Sequence, residues 1–217
     1  MPPEPADPTD PLAALRSPSF LSELRRKAIH LSLLVLPLDL LFEVLPWPRG
    51  RGPWTLLLLV LAFGALALDV LRLQEQRVKR LFRDILGGML REHEEMGLLG
   101  STYLLLAALL AVGLFPRPVA AAALGFTVLG DGFAAIVGKA WGRTRIFRKT
   151  LEGAAGGLAA CLVWGTFLAA TGHLPWGVAL VGALVASLAE LLPIPLDDNL
   201  AMTLMAGYAM RLLWSPL

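Results

Sequence analysis

Apolar runs of about twenty residues alternate along the chain with short charged or proline-bearing breaks, the length a helix needs to cross a hydrocarbon core of about 30 Å. The pattern predicts an all-α fold, a polytopic bundle of about seven transmembrane helices over residues 28–46, 53–71, 99–115, 117–138, 151–171, 174–192 and 199–215. Pro46, Pro48 and Pro53, then Pro116 and Pro118, then Gly172 and Pro175, then Pro193 and Pro195 fall at the joints, where they punctuate helices without breaking them. Asp39 and Glu43 interrupt the first run and Arg211 the last.

Two segments depart from the pattern. Between the second and third runs, Val78, Leu81, Phe82, Ile85, Leu86, Met89 and Leu90 recur at helical spacing with Lys79, Arg80, Arg83 and Asp84 between them. This predicts an amphipathic helix over about residues 74–92, lying on the inner leaflet or covering the end of the bundle. Residues 1–18 carry six prolines and no apolar period, and are expected to form a disordered cytosolic tail before a single transmembrane domain over 19–217. Glu4, Asp7 and Asp10 come first, where a cleaved secretory signal would need basic residues and then an apolar run.

Composition narrows the classes. At 56% hydrophobic and 17% charged residues, the chain is too apolar for a soluble domain or for disorder along most of its length. Cys161 is the sole cysteine, so neither a disulfide scaffold nor a thiolate zinc cluster is available. The net charge of +2 is non-specific by itself, and its distribution decides what it means. With the N-terminus placed in the cytoplasm, fifteen of the nineteen Lys and Arg fall on the inner side, leaving Arg49, Arg51, Arg117 and Arg211 outside. Trp47, Trp54, Trp176 and Trp214 lie near the outer boundary expected of interfacial aromatics, and Trp141 near the inner one.

Ionisable groups inside a bilayer cost about 2.5 to 3.5 kcal/mol each on insertion scales, so each is a functional candidate. Asp131 stands in Gly130-Asp131-Gly132, with Ala135, Gly138 and Gly142 on the same helical face. Those small residues either admit a phosphate to the backbone or let helices pack closely. Lys139, Arg143, Arg145, Arg148 and Lys149 follow within eleven positions, a site for polyanions or a topogenic cluster. Lys149-Thr150-x-Glu152-Gly153 opens the next helix, where a cation, a hydroxyl and a carboxylate could hold phosphate and Mg²⁺. Asp197, Asp198 and Asn199 offer hard oxygen ligands for Mg²⁺ and equally a helix N-cap. Arg26, Lys27 and His30 lie one turn apart at the membrane entry, and Arg91 closes the amphipathic segment. All these clusters fall on the expected cytoplasmic side. Cations, carboxylates and a candidate base are what phosphoryl transfer requires.

Arg26-Lys27-x-x-His30, Asp69-x-x-Arg72-Leu73, Arg91-x-x-Glu94 before Gly100-Ser101-Thr102-Tyr103, Asp131-x-x-Ala134 with Gly138-x-x-x-Gly142, Lys149-Thr150-x-Glu152-Gly153 and Asp197-Asp198-Asn199 resemble, in this order, the CTP-dependent lipid kinases. That family groups the CTP-type diacylglycerol kinases with the dolichol and phytol kinases, and the diacylglycerol kinases look nearest. The resemblance implies transfer of the CTP γ-phosphate to a lipid alcohol with Mg²⁺ or another divalent cation. The chain departs from it at Ala154, where serine is frequent, and in lacking a proline soon after Asn199. The related phosphatidate cytidylyltransferases carry a His-Gly-Gly signature, which none of His30, His93 and His173 begins, and no P-loop is present.

Together these readings imply catalytic roles for Asp131, Lys149 and Glu152, with Asp131 as base or metal ligand. Arg26, Lys27, His30, Arg91, Gly138, Lys139, Gly142, Arg143, Thr150 and Gly153 are expected around the nucleotide phosphates, and Asp131, Asp197, Asp198 and Asn199 around the metal. The expected partners are CTP, a lipid alcohol and anionic membrane lipids, with no nucleic acid. A cytidylyltransferase and a transporter are the rival readings, and Asp39 and Glu43 alone would line a transport path beyond the inner surface.

Overall fold

The computed structural model describes residues 18–86, 94 and 96–214. The described chain is all-α apart from one short hairpin with two residues in each strand. Its helices are α1 (Pro18–Ser32), α2 (Val35–Phe42), α3 (Arg51–Gln74), α4 (Gln76–Leu86), α5 (Gly100–Leu114), α6 (Arg117–Trp141), α7 (Leu151–Ala170), α8 (Trp176–Leu191) and α9 (Asp198–Leu213). Strands β1 (Arg145–Ile146) and β2 (Lys149–Thr150) pair antiparallel between α6 and α7.

Helix α6 is the axis of the bundle and packs against α1, α2, α5, α7, α8 and α9. Its residues from Val119 to Val128 are buried without a break, and half are alanine or glycine, so neighbouring backbones come close. At Gly125 a Cβ would lie 2.1 Å from Trp164 Nε1, so the α7 indole occupies the volume a side chain would need. Helix α3 behaves oppositely. It packs on α4 and α5 and turns Leu56, Val60 and Phe63 outward, each about 60% exposed. A contiguous apolar face of that kind is at home in lipid rather than water.

Among the described residues, three helices, α3, α6 and α7, are long and apolar enough to cross a membrane, while α5 and α8 are apolar but shorter. Of the seven spans expected from the sequence, only these three meet that length and apolarity among the described residues. The expected run over 28–46 is two helices, parted at Leu33 and Leu34, and α2 ends at Glu43, whose φ of 49° is left-handed. The amphipathic segment is helical from Gln76 after an extended Glu75. Trp54, in the first turn of α3, faces the bundle rather than its surroundings. It is buried and donates from Nε1 to Asp39 Oδ2 at 2.8 Å. The tail over residues 1–17 and Arg91 lie outside the described residues.

Candidate active site

Asp131 enters the bundle from the middle of α6 and meets α1 there. Lys27, 3% exposed, donates from Nζ to Asp131 Oδ2, and His30 Nε2 stands 3.5 Å from the same oxygen. The i to i+3 spacing puts Lys27 and His30 on one face of α1. The Lys27 ammonium offsets the Asp131 carboxylate in surroundings of low polarity, without which the buried charge would be costly.

A second charged cluster lies across α6. Lys149, on β2, reaches Asp198 Oδ2 at 2.9 Å and Glu190 Oε1 at 2.8 Å, and donates to the Glu190 carbonyl. Burial pulls the Lys149 pKa down, but Glu190 and Asp198 outweigh it and hold the ammonium above the usual lysine range. Thr150 is the N-cap of α7, its Oγ1 accepting from Gly153 N at 3.1 Å. Asp197 caps α9 in the same way, accepting from Asn199 N and Nδ2, both at 2.9 Å. Burial pushes the Asp197 carboxyl above its ordinary pKa, and the hydrogen bonds from Asn199 pull against that.

Two cavities meet at these groups. The first, about 190 Å³, lies between α1 and α5, with Arg26, Lys27, His30, Asp131, Asp197, Asp198 and Asn199 among its walls beside Ile29, Leu33 and Leu104. The second, about 320 Å³, lies under the hairpin and is lined by Asp131, Gly138, Arg148, Lys149, Thr150, Gly153, Glu190 and Asp198. Asp131 and Asp198 belong to both walls.

Lys139, Gly142, Arg143 and Glu152 border neither of these cavities. Both Glu152 carboxylate oxygens are turned to backbone: Oε2 accepts from Arg143 N at 3.0 Å, and both accept from Thr144 N at 3.2 Å. Glu152 thus fixes the turn that leads into the hairpin. The glycines are packing positions as well. A Cβ on Gly153 would lie 2.7 Å from Ala134 O, and one on Gly138 2.8 Å from Thr150 Oγ1. Arg148, one of the cations expected at a polyanion site, lines the hairpin cavity, and so does Glu190, which no periodicity could bring from α8 to the hairpin.

Among the described residues, no three His, Cys, Asp or Glu side chains converge as a metal cage. Asp131 and Asp198 are nonetheless hard oxygen donors at a common boundary, which fits Mg²⁺, a cation that takes one or two carboxylates and draws its other ligands from phosphates and water.

Other charged groups are structural. Asp69 Oδ1 accepts from Arg72 Nε and Nη2 at 3.2 and 3.1 Å, and Oδ2 accepts from Leu99 N and Thr102 Oγ1 at 2.9 and 2.7 Å. Arg72 also donates to Glu94 O and Gly97 O. This pair ties the end of α3 to the start of α5. Asp39, 1% exposed, accepts from Trp54 Nε1 and Leu45 N, and Glu43 pairs with Arg117 at 3.0 Å. These contacts leave a transport path without support.

No protein-family model and no solved structure matches the chain. The CTP-dependent diacylglycerol kinase 1 of Schizosaccharomyces pombe is 27% identical over 161 residues, covering 67% of this chain and 74% of that protein. The resemblance to the CTP-dependent lipid kinases holds. It had rested on short motifs, each common by itself. The match to that relative extends over two thirds of the chain, well beyond the motifs.

Proposed function

We propose that this protein is an integral membrane lipid kinase that transfers the γ-phosphate of CTP to diacylglycerol. One observation carries the reading: Asp131 and Asp198 stand in the common boundary of two cavities, one lined by Arg148 and Lys149 and the other flanked by Ile29, Leu33 and Leu104. A polyphosphate suits the first and the head of a lipid alcohol the second. The named activity of the fission-yeast relative supports both substrates.

In this reading Lys149 and Arg148 bind the phosphates, with Thr150 at the helix N-terminus beside them. Asp198 would hold Mg²⁺ together with the nucleotide. When bound, that cation would withdraw charge from the phosphate oxygens. Asp131 accepts the proton of the lipid hydroxyl at its carboxylate as the alcohol oxygen bonds to the γ-phosphorus and the bridging oxygen leaves with CDP. Lys27 holds Asp131 in place and balances its charge. The cation-rich end of the bundle faces the cytoplasm, where CTP is.

The test is an assay of the purified protein in mixed micelles with dioleoylglycerol, Mg²⁺ and γ-labelled CTP. Label should appear in phosphatidate, and EDTA should abolish its transfer. Label released as pyrophosphate, with phosphatidate as the lipid substrate, would make the protein a cytidylyltransferase instead.

A further inference from the structure

We propose that the α1–α5 cavity is the acceptor head-group site and that His30 reads an oxygen other than the reacting hydroxyl, which selects glycerolipids over alcohols whose hydroxyl is their only polar group. The inference rests on the lipid-kinase reading and adds the basis of its acceptor choice.

The cavity has the shape of a side entrance. Helix α1 packs on α6, and the slot between α1 and α5 carries Ile29 and Leu33 on one wall and Leu104 on the other. Ile29 is 61% exposed, so the slot opens beside an apolar surface, as entry from a bilayer requires. Acyl chains can stay in lipid while the polar head reaches Lys27 and Asp131.

Two buried polar atoms of this cavity's walls make no hydrogen bond. They are His30 Nε2, which faces Asp131 Oδ2 at 3.5 Å without hydrogen-bonding it, and Asn199 Oδ1. Asn199 is 8% exposed, and its Nδ2 is already engaged with Gly100 O at 3.3 Å and Asp197 Oδ1. Buried polar atoms are nearly always paired, so two orphans in the wall of one cavity point to a ligand that brings their partners. Their chemistry differs. Asn199 Oδ1 only accepts, which suits the acceptor's hydroxyl as it arrives. His30 Nε2 donates in the tautomer that carries its proton there, which suits a carbonyl oxygen. Diacylglycerol carries ester groups on the two glycerol carbons that follow its carbinol carbon, so it brings carbonyl oxygens close to the hydroxyl. A polyprenol or phytol has a single oxygen and leaves His30 without a partner, a loss that polar sites penalise heavily.

The experiment compares H30L and H30Q with the wild type, using dioleoylglycerol and a long-chain primary alcohol as acceptors. H30L should raise the KM for dioleoylglycerol about tenfold, the scale of one lost hydrogen bond. The KM for CTP and the KM of the plain alcohol, or its inhibition constant where it is not phosphorylated, should stay within about twofold. H30Q, which keeps an N–H donor, should recover most of the loss. Equal effects on both acceptors, or a matching rise in the KM for CTP, would overturn the assignment. If the wild type transfers no phosphate from CTP, the kinase reading fails while the cavity is still read by photoreactive diacylglycerol. Competable crosslinks at Ile29 or Leu104 support the lipid site, and crosslinks confined elsewhere refute it.

Discussion

Asp69–Arg72 and Asp131–Lys27 are acid–base pairs buried at the same end of the bundle, and their surroundings predict opposite consequences of mutation. Asp69 has both oxygens filled by Arg72, Leu99 N and Thr102 Oγ1, and the pair holds three chain segments together. Asp69→Ala would strand the Arg72 guanidinium, 2% exposed, and should cost about 3 to 5 kcal/mol, read as a fall in the thermal unfolding midpoint in detergent. Asp131 borders open cavities instead. Asp131→Asn keeps its shape and should leave the protein folded while lowering kcat by about a hundredfold or more, the range for a lost general base. Retained turnover would remove Asp131 from the chemistry. The sequence names both aspartates but cannot separate these roles, because two of the partners of Asp69, Leu99 N and Thr102 Oγ1 at the start of α5, come from some thirty residues away. Glu152 shows the same limit. Its place after Lys149-Thr150 suggested chemistry, yet its oxygens hold the Arg143–Thr144 backbone.

Helices were legible wherever an apolar run had breakers at both ends, as for α5, α7 and α8. What the pattern missed depends on backbone geometry rather than hydropathy. The α1–α2 break at Leu33 and Leu34 falls inside one apolar run, and Pro37, in the first turn of α2, forces it because it has no N–H to give the Leu33 carbonyl. The hairpin is only two residues per strand and turns at Phe147, whose φ is 56°. Close packing of α6 on α7 sets where that hairpin hangs, so Gly153→Ala should act on both stability and site. Its Cβ would press on Ala134 O, a backbone atom that cannot swing aside, at a cost of about 1 to 3 kcal/mol measurable by thermal unfolding. Helix α4 gives a separate prediction. It exposes Leu81 and Ile85, 56% and 67%, beside Lys79, Arg80 and Arg83, the two faces an interfacial helix presents to an anionic bilayer. Its amides should exchange hydrogen more slowly in anionic than in neutral nanodiscs, and the L81S/I85S variant should lose that difference. Equal exchange in both lipids would assign α4 to covering the bundle end.

At the scale of the molecule, the two ends use their cations differently, and this bears on which end faces the cytoplasm. At the end away from the hairpin, arginines close helix C-termini: Arg117 donates to Leu40 O at 2.7 and 3.0 Å, Arg211 to Leu114 O at 2.6 Å, and Arg51 to Gly113 O. Those contacts satisfy orphan carbonyls and oppose the helix dipoles, so these cations have a structural reason to be there whatever the topology. At the hairpin end, Arg143, Arg145 and Arg148 are exposed beside the cavity that Lys149 lines. Cations that no packing demands are the ones that record orientation, and Arg143, Arg145 and Arg148 are of that kind. The prediction can be read without activity. Cys161 is the sole cysteine and is buried, so single cysteines introduced at exposed sites should report over a low background. Phe147, 63% exposed in the hairpin turn, and Trp47, 62% exposed in the loop between α2 and α3, mark opposite ends of the bundle. In intact cells, a membrane-impermeant maleimide should label W47C and leave F147C unlabelled until the membrane is opened. The reverse pattern would put the candidate site outside the cell and away from CTP, and labelling of both positions in intact cells would mean that the chain does not lie across the membrane as a barrier between its two ends.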